Sequence, residues 1–221
     1  MKNEQTILEI KPVEIVKTQI RIEGTTPLIV HNFGEKSRRE MLEKQMKITK
    51  TKGHDAKNPV EDFMNSLYWL TDKPDTATEE AFETAIASGA KFGFPVTAIK
   101  QAAVMAASRN EIDVKTTTLR GTFFLKGIGA GGSEFAEISG STPKMREDVV
   151  RIGGISKTAD LRYRAEFDPW YMDLMIEFNK NGPITLEQIL NLINLGGFTC
   201  GIGEWRPEKD GSFGMYRVAV S

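Results

Sequence analysis

Little in this chain invites metal or disulfide chemistry. It holds one cysteine, Cys200, and two histidines, His31 and His54. A lone thiol closes no intramolecular disulfide, and no Cys/His pair has zinc-site spacing. No cofactor and no metal are therefore expected. Long apolar runs are missing too: none approaches the ~18–20 residues that span a bilayer. The start, Met1-Lys2-Asn3-Glu4-Gln5, lacks the apolar core of a signal peptide. The expectations are no membrane partner and an intracellular, cytoplasmic location. Charge of one sign is also absent: 29 Lys+Arg against 30 Asp+Glu leave a net charge of −1, which excludes a global basic field.

What is there is unevenly placed. Residues 36–57 hold eight Lys/Arg against three acids, 60–90 hold seven acids against Lys73 alone, and 144–164 hold six Lys/Arg against three acids. Two basic blocks permit a localised anion-binding face, or head-to-tail packing of basic on acidic surface between copies; each block can equally be a solvated, salt-bridged face. The length of 221 residues suffices for one sizeable core, read as a single domain over 1–221.

Periodicity orders the chain. Alternation predicts a strand at about 16–23, extended or followed by Thr25–His31. Residues 35–57 read as a loop or partly helical insertion. Apolar residues at helical spacing occupy 60–70. Pro95 opens an Ala-rich helix over 97–109. Residues 116–126, β-branched and aromatic, read as a strand, and 133–160 as an excursion with short strands near 136–138 and 149–152. Residues 161–178 alternate as one long strand or a bent pair, with Asp168-Pro169 at the bend. Thr185 and Gln188 stand in capping-box register, starting a helix that Gly196-Gly197 ends. A last strand covers 212–220. Without insertions, placed at about 34–90 and 127–160, the order is β-α-β-β-α-β. That is α+β and ferredoxin-like (RRM-like): a four-stranded antiparallel sheet with helices on one face.

The C-terminal run from Gly196 to Val218 carries six glycines around Trp205-Arg206. Such a loop can cradle a ligand backbone through its amide N–H groups, with Arg206 a charge suited to phosphate; it can also be a tight connection with a bulge. The glycines of 127–132 lack both a following helix and a Gly-Lys-Ser/Thr, which argues against a dinucleotide or phosphate loop.

Three places match a known pattern. An early strand leads into Thr26-Pro27-Leu28. Phe94-Pro95 with Ile99-Lys100 opens the first helix. Gly201, Gly203, Arg206, Gly211, Phe213 and Gly214 form a Gly-x-Gly-x-x-Arg…Gly-x-Phe-Gly loop before the last strand. In these the chain resembles the RAMP superfamily, in particular backbone subunits of CRISPR effector complexes and their solitary relatives in phages and mobile elements. The resemblance implies an RRM-like domain with two insertions, residues 34–60 and a thumb-like 133–160. It also implies copies polymerised along single-stranded RNA in a bacterial or phage-infected cell.

The expectation is non-catalytic binding of single-stranded nucleic acid, RNA in preference to DNA, by a homo-oligomer, with further protein subunits as possible partners. The residues singled out are Lys44, Lys47, Lys50 and Lys52; Arg146, Arg151, Lys157, Arg162 and Arg164; and Gly201, Gly203, Trp205 and Arg206. Arg162 and Arg164, two apart on a strand, share a face. Trp69 and Trp170 fit the core. One alternative is a metal-independent RNA endonuclease using His31, or His54, as general base; the resemblance also points to Asp55 by position. A second is a viral decoy that mimics a complex subunit.

Overall fold

The computed structural model describes residues 11–32, 41–43, 45–46, 57–152 and 158–219. In chain order its elements are β1 (Ile15–Gly24), β2 (Leu28–Val30), α1 (Pro59–Ser66), α2 (Glu79–Ala87), β3 (Gly93–Pro95), α3 (Val96–Arg109), α4 (Thr116–Thr122) and β4 (Phe123–Gly127). There follow β5 (Phe135–Glu137), β6 (Lys144–Ile152), β7 (Thr158–Phe167), β8 (Tyr171–Asn179), α5 (Leu186–Thr199), a 3-10 turn (Pro207–Lys209) and β9 (Tyr216–Val218).

The fold is mixed α+β with antiparallel sheets. β1 alternates because Val16, Thr18, Ile20 and Ile22 point one way and Lys17, Gln19, Arg21 and Glu23 the other. β8 does the same with Met172, Leu174, Ile176 and Phe178 buried. These strands form the centre of a four-stranded sheet, spatial order β4-β8-β1-β9, every neighbour antiparallel. The buried face joins Ile99, Ala103 and Ala106 of α3 and Ile189 and Ile193 of α5 in one core. Burying an aromatic such as Phe123, 0% exposed, typically stabilises by about 3–5 kcal/mol over alanine.

A second sheet, ordered β2-β7-β6, carries a long β6–β7 hairpin backed by α1. A third pairs β3 with β5. The Asp168–Pro169 peptide is cis and lies between β7 and β8, which belong to different sheets; the expected bend is therefore a change of sheet. Trp170 anchors it, its Nε1 donating to the Thr26 carbonyl at 2.8 Å.

Several local expectations need correction. Residues 116–122 are helical: the Lys115 carbonyl accepts from the amides of Thr118 and Leu119, and this turn buries Leu119 at 1% exposure, so core contact overrides the β propensity of three threonines. Thr185 and Gln188 do form the capping box, but α5 runs through Gly196-Gly197. Those glycines permit close approach: a Cβ on Gly196 would lie 2.7 Å from the Ala103 nitrogen of α3, and one on Gly197 2.0 Å from the Tyr216 carbonyl of β9. The final strand is only Tyr216–Val218. α2, inside the expected first insertion, is capped by Thr78 and presents Glu79, Glu80 and Glu83 to solvent. No described helix is long and apolar enough to cross a membrane.

Candidate nucleic-acid interface

The C-terminal turn is a clasp on the fold. Gly201, Gly203 and Gly214 take φ values of 64°, 78° and 65°, a region that glycine enters without steric cost. A Cβ on Gly203 would stand 2.4 Å from the Ile29 carbonyl, and one on Gly214 1.8 Å from that of Ile202. The amide of Glu204 donates to the Ile29 carbonyl (2.9 Å), that of Gly214 to Pro27 (2.7 Å), that of Ile202 to Gly214 (3.0 Å) and that of Phe213 to Trp205 (3.0 Å). The expected row of free amides is therefore corrected: the first two of these N–H groups hold the turn onto the start of the second sheet, and the other two close the turn on itself.

Arg206 is corrected in the same sense. Its Nε donates to Glu208 at 2.8 Å and its Nη1 to the Gly203 carbonyl at 2.9 Å, so the guanidinium straps the turn. Trp205 fits an exposed contact better: it is 40% exposed with a left-handed φ of 53°, and its ring is held outside the core.

The hairpin register sets Arg146 opposite Arg164 and Asp148 opposite Arg162, giving one ionic face. Arg146 donates to Asp148 (2.8 Å) and Glu166 (2.7 Å), Arg164 to Asp148 at 3.3 Å, and Arg162 lies 2.8 Å from Asp160. Arg162 and Arg164 share this face, as their spacing implies, but differ in burial: the Arg162 side chain is 38% exposed, whereas that of Arg164, paired with Asp148 and Glu204, is only 9% exposed. Hairpin and turn meet twice. Arg164 Nη2 lies 3.7 Å from Glu204, and the Arg146 guanidinium sits 4.6 Å from the centre of the Phe213 ring.

Two clefts flank this junction. Leu28, Ile29 and Val30 are wholly buried, so β2 delivers the next residue, His31, to the surface with 35% of its side chain exposed. One cleft, about 200 Å³, lies between α3 and the turn and is lined by Tyr68, Phe94, Gln101, Met105 and Ile202 among others. The other, about 220 Å³, lies between α1 and β7, with Lys57, Asn65, Arg162 and Arg164 in its wall. His31 lines both. Burial, then the Arg164 charge, pushes the His31 imidazole below the ordinary histidine range, against the opposing pull of Glu204; its Nδ1 is 3.8 Å from Glu204 Oε1.

Of the residues singled out, the structure thus brings together Arg146, Arg162, Arg164, Gly201, Gly203, Arg206 and His31. Arg151 is exposed further along β6, opposite Ala159. Lys44, Lys47, Lys50, Lys52, His54, Asp55 and Lys157 lie outside the described residues. Trp170 is core at 3% exposure, and Trp69 packs against the core. Sequence reading missed Tyr68, Gln101, Glu204 and Asn32, whose amide donates to the Ser66 carbonyl at 2.7 Å. Only Glu204, inside the glycine run, carried a local signal. Among the described residues, no group of three or more His, Cys, Asp or Glu side chains is arranged to hold a metal ion. No family model matches the chain, and no curated protein matches it.

Proposed function

We propose that this protein binds single-stranded nucleic acid, RNA in preference to DNA, where the C-terminal turn and the β6–β7 hairpin meet at His31. The observation that carries the reading is this convergence: turn and hairpin root are tied by Arg164–Glu204 and Arg146–Phe213, and a cleft with Lys57, Arg162 and Arg164 in its wall opens beside them. Asn32 and Lys57, which bound the Lys-rich stretch on either side, line that same cleft. The spatial order β9-β1-β8-β4, with α3 and α5 as the crossing helices, supports the ferredoxin-like, RAMP-type reading of the fold. The exposed acids of α2 and the basic run of 36–57 support copies arranged head to tail along a strand.

Fluorescence anisotropy with labelled RNA and DNA single strands over a salt series tests this. Three phosphate contacts give a log–log slope of about −2 on a single strand. Size exclusion with and without the oligonucleotide should show stepwise growth of the complex. Absence of binding at low salt overturns the proposal.

A second reading, an RNA endonuclease, has one observation in its favour. His31 shares a cleft wall with Lys57, Arg162 and Tyr163, side chains of the kinds that act in general acid–base catalysis or stabilise a developing phosphate charge; burial and the Arg164 charge lower its pKa. Incubation with labelled RNA in a chelator decides it: cleavage that His31→Ala abolishes establishes the enzyme, and intact RNA removes it.

A further inference from the structure

An apolar groove of about 240 Å³ runs beside the first turns of α5. Ile112, Val114 and Leu119 line it from the α3–α4 side, and Ile184, Leu192 and Leu195 from the α5 side. Among the described residues no charged side chain lines it, and Gln188 and Asn191 contribute amides. Leu119, Ile184 and Leu192 belong to the core, yet Ile112 and Val114 beside them stay 40% and 37% exposed. The chain enters the fold next to this groove. Ile15 of β1 pairs with Asn179 of β8. Just before it, the Glu14 amide donates to Asn179 Oδ1 (2.9 Å), and the Glu14 carbonyl accepts from the Lys180 amide (2.8 Å). Asn181 Nδ2 donates to the Pro12 carbonyl at 3.0 Å. Pro183, two residues on, already lines the groove. The other side is near as well: α4 leads into Phe123, opposite Phe178, and β4 stands two strand spacings, about 10 Å, from β1. Residues 1–10 precede Lys11 and carry Ile7, Leu8 and Ile10. Their contour is at most about 35 Å, ample to cross from Pro12 to Val114.

We infer that residues 1–10 of the same molecule cover this groove, with Leu8 and Ile10 on its apolar walls. Glu9 stands between them, an alternation that lets an extended backbone turn both apolar side chains to the groove and the carboxylate to water. The amides of Gln188 and Asn191 offer donors and acceptors to such a backbone. The tether at Pro12 makes the contact intramolecular, so a small apolar area suffices to hold it. At about 240 Å³ the groove falls below the roughly 300–1,000 Å³ of drug-sized sites and matches a few aliphatic side chains. The seat would tie the start of β1 to the start of α5, and it stands apart from nucleic-acid binding.

The test uses the full chain with paired cysteines: Leu8→Cys with Val114→Cys, and Ile10→Cys with Val114→Cys. The natural Cys200 is buried at 1% exposure and does not compete. Oxidised glutathione should close a bridge within one molecule in at least one pair, read as faster migration on a non-reducing gel. It should form many times faster than in Leu8→Cys with Glu187→Cys, an exposed position on α5 outside the groove, which controls for a tether that only passes by. A readout without cysteine uses Leu8→Asp with Ile10→Asp. That variant should lower the urea midpoint and raise the fluorescence of an anilinonaphthalene sulfonate dye at the uncovered groove. Val114→Asp added to it should lower the midpoint little further. Bridging as fast at Glu187→Cys as at Val114→Cys overturns the proposal, as does an unchanged midpoint and dye signal in the aspartate variant. A bridge that forms only between two molecules also overturns it, and gives the groove to the same segment of a second copy.

Discussion

Two regions of this molecule carry paired charges, and they differ in what surrounds the pairs. On the face of the four-stranded sheet turned away from α3 and α5, Arg21 makes a bidentate contact with Asp173 (2.8 and 2.9 Å). Lys17 and Lys126 share Glu177 at 3.1 and 2.7 Å. Arg21–Asp173 and Lys17–Glu177 are direct cross-strand partners, set by register alone. At the hairpin root the network runs across elements, from β6 to β7 to the C-terminal turn. Arg21 and Asp173 side chains are 45% and 32% exposed, whereas those of Arg164 and Asp148 are each 9%. Water screens the first set, which makes exposed pairs weak. In the second set burial makes each lost partner costly, even though Asp148 is shared by Arg146 and Arg164. Local cation count therefore does not distinguish the two regions; concavity and burial do.

The largest effect that could break this comparison is on stability. Arg164→Ala strips the buried Asp148 of one of its two arginine partners, leaving Arg146 alone, and should cost about 1.5–3 kcal/mol in urea titration. Arg21→Ala should shift the midpoint little. Restoring an apolar pair, Arg164→Leu with Asp148→Val, should recover most of the loss, since well-packed apolar replacements of buried pairs are often neutral or better. A loss from Arg21→Ala equal to that from Arg164→Ala would show that the two networks do not differ.

The next effect is on affinity. Arg162 lies in the cleft wall but is held by Asp160 alone among the partners seen for Arg146, Arg162 and Arg164, and its side chain is 38% exposed. Arg162→Ala should weaken single-stranded RNA about tenfold, the scale of a charged hydrogen bond of about 1.5 kcal/mol. Lys17→Ala, on the open sheet face, should stay close to wild type in the same anisotropy assay. Equal losses from both would move the interface to the open sheet.

These contrasts explain which parts of the molecule were legible in the sequence. β1 and β8 could be read because one face of each is buried, so burial writes a period of two into Ile20, Ile22, Leu174 and Ile176. The α5 start could be read because Thr185 and Gln188 cap it locally. Thr116–Thr122 could not, since its helicity depends on a distant core accepting Leu119. Gly196-Gly197 misled because a helix-ending glycine and a helix-packing glycine look alike until Ala103 and Tyr216 are placed beside them. The site divides in the same way. The glycine run marked the turn and Arg162/Arg164 marked the hairpin face, but the partners that bury Arg164 lie on another strand and another loop. Tyr68 and Gln101 reach the site from elements whose local pattern speaks only of helix and core.

The smallest effect expected is on pH dependence, and it sharpens the comparison because the imidazole of His31 belongs to the hairpin side. Burial, with the Arg164 charge, lowers the folded His31 pKa, and Arg162 acts in the same sense while Glu204 and Asp62 oppose it. The unfolded chain titrates near the ordinary value of about 6.5. Between the two values the unfolded state binds more protons, so stability rises with pH. The contribution is complete above the unfolded value, declines as pH falls through it, and levels off below the folded value. With 35% of the side chain exposed, solvent screening holds the slope well under one proton. Thermal melts between mildly acidic and neutral pH should show this slope, and His31→Gln should flatten it. Arg21→Ala should leave the slope intact, whereas Glu204→Gln, which removes the opposing carboxylate, should steepen it. A slope unchanged in both His31→Gln and Glu204→Gln would mean that the hairpin side, like the open sheet face, does not couple its charges to folding near neutral pH.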